Sequence, residues 1–296
     1  MRPIIADASV ANLKKAESYV KKIKVYPLAN AADPPTTRHI DIYNKHIDGV
    51  AHFDASYFER LNKMIQEENL EERDMAFLGL LSSIGIEKGG TFRPNSRHQE
   101  IFADAAKEAH EYMIENYLDR VTPPFYAKRR WYSAVPVNGV PTGLEWDLPN
   151  YLDYDGRGSG YYAFYTSVKK LGSASFYLKT SRDTQGQRFN GSNRYRLTVP
   201  KDVPVRDFWS VIAYTTEDAT WFDNQPKAGV ASSDKGVQVN ADGTVDVYFS
   251  PTAPKGKEAN WVPTTKGKDY FLYFRTYGPK KELFTKAWKL NDVVKE

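Results

Sequence analysis

The sequence predicts an α+β protein in which a helical region, residues 1–122, precedes an antiparallel β-sandwich of jelly-roll type, residues 123–296. Apolar residues before Pro123-Pro124 recur with the helical period of 3.6 residues, and after it they alternate with a period of two. Turn residues also recur at short intervals in the second region, as they do between the strands of a sandwich. A block of helices followed by a block of strands is typical of the α+β class.

Four helices are expected in the first region, because the apolar residues there fall on one face of a helix. Ser9 and Asp54 precede two of these segments and are suitable N-caps, since their side-chain oxygens accept hydrogen bonds from free backbone N–H groups. The longest helix is expected to bury a stripe that includes Ile101, Ala105 and Tyr112. The expected helices cover residues 9–24, a segment after Asp54, residues 71–84 and residues 95–118.

Seven strands are expected in the second region, where β-branched and aromatic residues alternate with polar ones. The turn Ala241-Asp242-Gly243 separates two of them and favours a hairpin. A short helix is expected near residues 281–289. The predicted strands are Gly160–Val168, Ala174–Thr180, Tyr195–Pro200, Asp207–Tyr214, Gly236–Asn240, Thr244–Ser250 and Tyr270–Tyr277.

The composition and motifs exclude several kinds of site. The chain has no cysteine, which rules out disulfides, thiol catalysis and thiolate metal sites. Its five histidines all precede the β region and lack the spacing of metal ligands, so no metal is expected. There is no phosphate-binding loop and no dinucleotide fingerprint, so no cofactor is expected. The glycine cluster at residues 156–160 does not have the spacing of a nucleophile elbow and opens a predicted strand.

Charge and hydropathy bear on partners and location. The formal net charge of +4 is too small to indicate a nucleic-acid partner. No apolar run approaches the roughly 20 residues of a membrane span. The first residues lack the apolar region of a secretory signal. The sequence as written is therefore expected to be a soluble, cytoplasmic protein that binds neither nucleic acid nor a membrane.

The strand Tyr270–Tyr277 is the most informative segment for function. Its alternation places Arg275 among large aromatic side chains on one face. Arg275 is predicted to lie on the inward face of the strand, where a buried arginine needs a partner. That partner is a carboxylate, a cluster of carbonyl groups or an anionic ligand, and an acidic residue would make it a structural ion pair. Replacing Arg275 with methionine is predicted to cost about 3–5 kcal/mol if a buried partner is left uncompensated. The ligand-binding residues predicted on this strand and on Asp207–Tyr214 are Tyr273, Arg275, Tyr277, Ser210 and Tyr214.

Other candidate ligand residues lie outside these two strands. Trp221 and Asp223 follow a predicted strand, and the run Trp146–Asp155 precedes the sheet with a similar mixture of aromatic and acidic residues. Such residues bind sugar rings or position water for hydrolysis, although loop packing also explains them. Arg194, which shares a strand face with Arg196, is a further candidate.

A series of motifs in the β region resembles a known family. The motifs are Leu171-Gly172-Ser173, Phe189-Asn190-Gly191-Ser192-Asn193-Arg194-Tyr195, Phe208-Trp209-Ser210-Val211, Asn240-Ala241-Asp242-Gly243, Gly256-Lys257-Glu258-Ala259-Asn260-Trp261 and Arg275-Thr276-Tyr277-Gly278-Pro279. In order and spacing they resemble the domain-of-unknown-function family 1214 over about residues 165–280. The upstream run from Ser83 to Gly89 resembles the C-terminal part of the domain-of-unknown-function family 1254. The resemblance implies a fold but no activity and no catalytic residues.

The resemblance also implies an absent domain. The β-rich N-terminal part of family 1254 has no counterpart here, so the chain is expected to be a truncated or split member, and longer relatives to be exported. The surface left bare is expected to self-associate as a homo-oligomer or to bind a separately encoded N-terminal partner. The segment Val25–Phe53 is the candidate surface. Its apolar residues include Tyr26, Ile40, Ile42, Tyr43 and Ile47.

Two classes of function remain open from the sequence. One is an enzyme, a hydrolase of a small polar or carbohydrate-like substrate held in a cavity lined by aromatic residues and arginine. The other is a noncatalytic ligand-binding or assembly module. Polar groups that converge in a pocket favour the first, and a flat aromatic surface favours the second.

Overall fold

The computed structural model describes residues 9–42, 45, 50–118, 123–133, 147–148, 150–155, 158 and 174–296. The predicted strand Gly160–Val168 lies outside these residues, as do Trp146, Tyr43, Ile47 and most of the glycine cluster at 156–160. The chain divides into two compact units, Met1–His46 and Ile47–Glu296. Among the described residues, no helix is both long and apolar enough to cross a bilayer.

The first unit contains helix α1 (Val10–Val20) and a 3₁₀ turn, Leu28–Asn30. The predicted N-cap is confirmed, because the Ser9 hydroxyl accepts a hydrogen bond from the backbone N–H of Asn12 at 3.4 Å. None of residues 9–42 or 45 is buried.

The second unit begins with three helices, α2 (Ser56–Glu67), α3 (Met75–Ser82) and α4 (Ser96–Met113). Helix α4 continues as one π-helical turn, Ile114–Leu118. Asn95 caps α4, since its side-chain oxygen accepts a hydrogen bond from His98 N at 2.9 Å. A single helical turn, α5 (Lys281–Phe284), lies near the C-terminus.

The buried stripe of α4 is displaced by one residue from the predicted one. Phe102 and Ala106 are buried, whereas Ile101 and Tyr112 are about half exposed. The Phe102 ring stacks on Phe58 of α2 with ring centres 4.2 Å apart. Because apolar residues occur on two adjacent faces of α4, the larger aromatic contact determines which face is buried.

Two main sheets account for most of the described strands of the β region. In the first, neighbouring strands are antiparallel and follow the order β1 (Tyr132–Ser133), β4 (Ser175–Thr180), β11 (Asp269–Pro279), β7 (Val205–Thr215) and β8 (Gly229–Ala231), with β5 (Phe189–Asn190) also paired to β11. The second has the order β10 (Trp261–Pro263), β9 (Val245–Ser250), β6 (Tyr195–Val199) and β12 (Val294–Lys295), and its β10–β9 pair is parallel. A separate hairpin joins β2 (Asp147–Leu148) to β3 (Tyr151–Leu152).

One apolar core lies between the two main sheets and contains side chains from both. The first sheet contributes inward residues that alternate along its central strands, as a sandwich requires. The α+β class with a sandwich-like arrangement of two sheets is therefore confirmed. The central core residues are Leu178, Val211, Leu272 and Phe274 from the first sheet, and Leu197, Val247 and Phe249 from the second.

The predicted strand Gly236–Asn240 is wrong, because a side chain takes the place of a partner strand. The Asn260 side-chain oxygen accepts a hydrogen bond from Gln238 N at 2.7 Å, and its nitrogen donates to Gln238 O at 2.9 Å. The same nitrogen donates to Asp246 O at 2.8 Å. The adjoining turn is present, since Asn240 N donates to Thr244 O at 2.8 Å.

Charged side chains join the end of α4 to the segment before β5. Glu115 contacts Arg182 at 2.6 Å and Arg188 at 2.7 Å, and Arg188 also contacts Glu111 at 3.0 Å. Burial alone would raise the pKa of Glu115. The charges and hydrogen bonds of the two arginines outweigh burial, so the pKa of Glu115 lies below its usual value.

These ion pairs predict an acid-dependent loss of stability. Because the pKa of Glu115 is depressed in the folded state, its contribution is complete above the unfolded pKa of about 4.3 and is lost as the pH falls through the folded pKa. Thermal unfolding from pH 7 to pH 3 should show Glu115→Gln less stable than the wild type near neutrality, with a difference that shrinks in acid. The exposed Glu108→Gln is the control. A difference that stays constant with pH would contradict this prediction.

Candidate functional site

Strand β11 has two faces with different surroundings. Tyr270, Leu272 and Phe274 point into the sandwich core, whereas Phe271 and Tyr273 belong to a second apolar cluster on the opposite side of the sheet. The alternation predicted for this strand is therefore present, but the predicted inward position of Arg275 is wrong, because Arg275 lies on the side with Phe271 and Tyr273, away from the sandwich core. We name this opposite side the Arg275 face. It comprises Ser175, Tyr177 and Lys179 of β4, Phe271, Tyr273, Arg275 and Tyr277 of β11, and Phe208, Ser210, Ile212 and Tyr214 of β7.

The strand register places Arg275 in the middle of this face. Arg275 lies directly opposite Tyr177 of β4 and directly opposite Ser210 of β7. Residues opposite each other in antiparallel strands project to the same side, with Cβ atoms about 4.5–5.5 Å apart. Two positions away in each direction, and therefore on the same face, tyrosines 273 and 277 flank the arginine on its own strand.

Arg275 is held by aromatic side chains. Its Nη2 donates a hydrogen bond to the Tyr177 hydroxyl at 3.0 Å. The guanidinium carbon lies 4.7 Å from the centre of the Tyr177 ring and 5.5 Å from that of Tyr277. Both distances are within the range of a cation–π interaction.

The guanidinium has no carboxylate partner in the described ranges. No acidic residue among the described residues pairs with Arg275, as a structural ion pair would require. The Tyr177 phenol accepts the hydrogen bond instead. The Nε of Arg275 is buried and has no hydrogen-bond acceptor among the described residues. The side chain as a whole is half-buried. The charge of Arg275 is therefore only partly compensated by its described neighbours.

The tyrosines around Arg275 form one contiguous aromatic group. The Tyr177 ring centre lies 6.1 Å from that of Tyr273 and 6.3 Å from that of Tyr277. Tyr214 meets Tyr273 edge to face at 5.5 Å, and Phe208 stacks on Tyr277 at 4.2 Å. Aromatic pairs at these separations stabilise one another and restrict ring motion.

One end of the Arg275 face is covered and the other is partly open. Val50, Ile114 and Leu118 are buried with Phe271 and Tyr273 at the covered end. At the other end, residues 175, 177, 275 and 277 all remain partly exposed. A ligand in the open half would therefore meet the guanidinium and the tyrosine hydroxyls.

The arginine also changes the proton affinity of its neighbours. Burial alone would raise the pKa of Tyr177. The hydrogen bond and positive charge of Arg275, with hydrogen bonds from Ser175 and Tyr277, outweigh burial, so the pKa of Tyr177 lies below its usual value. For Tyr214, burial dominates over the charge of Arg275 and raises the pKa. Two tyrosines on one face thus differ in proton affinity, and Tyr177 is the more acidic one.

Sequence reasoning missed Tyr177 and Lys179. Both lie on β4, where they alternate with the core residues Phe176 and Leu178, and Lys179 is completely buried opposite Tyr273. The alternation within Ala174–Thr180 predicts that Tyr177 and Lys179 share one face of the strand. Without the register to β11, however, that face could not be matched to Arg275.

The predicted site residues separate into two sets. Residues 273, 275, 277, 210 and 214 come together on the Arg275 face. Arg194, in contrast, is exposed and immediately precedes β6 of the other sheet. Trp221 is 60% exposed and Asp223 is exposed, in the connection between β7 and β8.

Trp221 and Asp223 lie far from Arg275 along the sheet. Phe222, between them, is buried against Tyr270 with ring centres 5.7 Å apart. Tyr270 is five positions from Arg275 along β11, which corresponds to about 17 Å. We therefore treat this exposed tryptophan as separate from the Arg275 face. Within the described residues, no group of histidine, aspartate and glutamate side chains is arranged to hold a metal ion.

The solved structures that resemble this chain include two distantly similar proteins. A Vibrio parahaemolyticus protein solved by structural genomics is 19% identical, with a TM-score of 0.45 over 98% of this chain and 66% of that one. A putative uncharacterized protein from Burkholderia cenocepacia is 12% identical, with a TM-score of 0.33 over 81% of this chain and 47% of that one. The chain thus spans less than two thirds of either protein.

The sequence comparison identifies a family for part of the chain. No curated protein matches the sequence. The family match begins at residue 174 and ends at residue 281, so the expected resemblance of the upstream segment to family 1254 is not shown. All residues of the Arg275 face lie inside the matched range. Residues 174–281 of this chain therefore match the family described as "Protein of unknown function (DUF1214)".

Proposed function

We propose that the protein binds a small anionic molecule, in particular a carboxylate, on the Arg275 face. The observation that carries this proposal is the half-buried Arg275, which has no carboxylate partner among the described residues and whose buried Nε has no acceptor. Removing a cation from water is costly unless an anion or several hydrogen bonds compensate it. A ligand carboxylate would supply both.

The guanidinium geometry suits a carboxylate better than a neutral ligand. Arginine presents its N–H groups in a rigid planar fork that matches the two oxygens of a carboxylate. In this protein one Nη2 hydrogen bond goes to Tyr177, and Tyr214 also hydrogen-bonds to the guanidinium. A ligand would take the donors that these two tyrosines leave. Tyrosine hydroxyls at the open end could donate to the same anion.

The aromatic rings indicate what the rest of the ligand resembles. The rings of Tyr177, Tyr273, Tyr277 and Phe208 surround the charge with flat apolar surface. Binding sites for small molecules combine such apolar walls with a few polar groups that fix the orientation. We therefore expect a ligand with a planar apolar body attached to the anionic group.

Binding is better supported than hydrolysis of a polar or carbohydrate-like substrate. The described residues of the Arg275 face contribute hydroxyl groups, one arginine and one lysine, and none of them carries a carboxylate. Glycoside hydrolysis generally needs a pair of carboxylates. A carbohydrate-like ligand remains the neutral alternative that the binding experiment distinguishes.

Titration calorimetry and thermal shifts with benzoate, acetate, inorganic phosphate and glucose test the proposal. Benzoate is expected to bind best, and Arg275→Met is expected to weaken it by about 10–100-fold, because a charge-assisted hydrogen bond contributes about 1.5–3 kcal/mol. Arg97→Met, which removes an exposed arginine on α4, is the matched control. Equal benzoate affinity of wild type and Arg275→Met would refute the proposal. Tighter binding of glucose than of any anion would favour the carbohydrate-like alternative.

We further propose that the first unit is an association surface for a second copy of the chain or a separately encoded partner. No described residue of this unit is buried, and Val25, Leu28 and Ile40 are 74%, 88% and 61% exposed. Each Å² of apolar surface left in water forgoes about 25 cal/mol. Light scattering over a concentration series should show self-association that Leu28→Asn with Ile40→Asn reduces. A strict monomer at the highest concentration would exclude the second copy.

A further inference from the structure

We infer that Tyr177 is a general base that removes a proton from the carbon next to the keto group of a 2-oxo acid held by Arg275. The inference rests on the proposed function, since Arg275 must first bind the carboxylate. It extends that function from binding to proton transfer. The chemical class follows from the two adjacent groups, one that holds an anion and one that accepts a proton.

The geometry places both groups at the same spot. The Tyr177 hydroxyl is 3.0 Å from Arg275 Nη2, and both side chains are partly open to solvent. A ligand whose carboxylate meets the guanidinium beside Tyr177 would bring its next carbon atoms towards the phenol oxygen. A general base must come within about 2.6–3.2 Å of the atom that carries the proton, directly or through one water.

The surroundings of Tyr177 act in both directions: burial opposes its ionised form, whereas the charge of Arg275 and hydrogen bonds from Arg275, Ser175 and Tyr277 favour it. Arg275 is the nearest cation, and Lys179 lies on the same face of the same strand. From β11 the facing titratable groups are Tyr273 and Tyr277, and from β7 the group is Tyr214. The cluster that covers the closed end contributes apolar side chains, including Ile114 and Leu118.

Electrostatics therefore agrees with the geometry. Burial works against ionisation of Tyr177, but the hydrogen bond and charge of Arg275 overcome it and lower the pKa. A phenol with a depressed pKa is a useful base nearer to neutral pH, because more of it is in the ionised form. Tyr214, whose pKa is raised by burial, does not share this property.

The proton transfer is balanced without any other reactant. The Tyr177 phenolate takes the proton from the C3–H bond of the 2-oxo acid, and the electron pair of that bond moves into the keto group to give an enolate. Arg275 keeps hold of the carboxylate and offsets the added negative charge. The neutral phenol then returns a proton to C3, which regenerates both the acid and the base. A carboxylate without the keto group would not serve, since its carbon acid is too weak for a phenolate.

Deuterium exchange tests the inference directly. In D₂O, ¹H NMR should show that the C3 protons of phenylpyruvate exchange faster with the protein than in buffer alone. Tyr177→Phe keeps the ring and should reduce the catalysed rate by about 100-fold or more, a typical loss for a general base. Tyr151→Phe, which changes an exposed tyrosine on β3, is the matched control and should leave the rate unchanged.

A ligand-free titration provides a second readout. The ultraviolet absorbance of tyrosinate should show a tyrosine that ionises below the others in the wild type, is missing in Tyr177→Phe and shifts upward in Arg275→Met. If no such tyrosine titrates, the inference is wrong. If phenylpyruvate and benzoate bind but no exchange occurs, Tyr177 is not a general base, and the proposal of an anion-binding site is still supported. If neither compound binds, the proposed function fails and the inference fails with it.

Discussion

Replacement of Asn260 by leucine is expected to lower the free energy of unfolding by about 3 kcal/mol, because three part-buried hydrogen bonds to backbone groups are lost together. Asn260 is 1% exposed and bonds to both backbone groups of Gln238 and to the carbonyl of Asp246. Leucine has a similar size but can neither donate nor accept. Those backbone groups would lose their partners while remaining partly shielded from water.

Thermal or urea unfolding measures this effect. In a domain of this size, about 3 kcal/mol corresponds to a fall in Tm of roughly 6–12 °C. Gln238→Ala is the matched control, since it leaves the backbone hydrogen bonds to Asn260 in place and removes an exposed side chain. We expect the control to remain within about 1 kcal/mol of the wild type. If Asn260→Leu were as stable as the control, the hydrogen bonds of the Asn260 amide would not stabilise the segment around Gln238.

The central strands could be predicted because their physical signal is local. Along β11, apolar residues on one face pack into the sandwich core, and the opposite face carries the aromatic group around Arg275. Residues of the two faces alternate along one strand, so the sequence itself shows which residues share a face. The same reasoning located five of the residues on the Arg275 face before the strand register was known.

The rest of the site depends on partners that are distant in sequence. Tyr177 reaches Arg275 only because β4 pairs with β11 in one particular register. The side-chain amide of Asn260 hydrogen-bonds to the backbone of Gln238, 22 residues away, in the place of a partner strand. No periodicity in the sequence predicts such a contact. Trp221 and Asp223 stay a prediction, because they lie apart from this site. Their composition resembles a sugar site, but the connection that carries them leaves the sheet far from Arg275.

Arg275→Met is expected to have opposite effects on the free protein and on the protein with a bound anion. The expectation of a 3–5 kcal/mol loss assumed a buried charged partner that the substitution would leave unpaired. The hydrogen-bonding partner in the structure is instead the Tyr177 phenol, which is half-buried and uncharged in its acid form. The substitution leaves no described carboxylate without its partner, so the cost of about 3–5 kcal/mol is not expected.

In the free protein, methionine removes a cation whose desolvation is only partly compensated. The thioether would lie among Tyr177, Tyr273 and Tyr277, where sulfur–aromatic contacts are favourable by about 0.3–1.5 kcal/mol. The free energy of unfolding of Arg275→Met without ligand is therefore expected to equal that of the wild type or to exceed it by about 1 kcal/mol.

With an anion present, the order of stability reverses. Benzoate at about 100 times its Kd would raise the stability of the wild type by about 2.7 kcal/mol, and the methionine variant, which lacks the binding charge, would gain far less. Arg275→Lys is the informative control, because it keeps the charge but loses the planar fork, and it should gain an intermediate amount. Urea unfolding of the three proteins with and without benzoate therefore separates the two roles of this residue. A ligand-free Arg275→Met that is less stable than the wild type by about 3 kcal/mol would show that Arg275 holds the fold together. An unchanged ligand-free stability with the benzoate gain abolished would show that its charge serves binding.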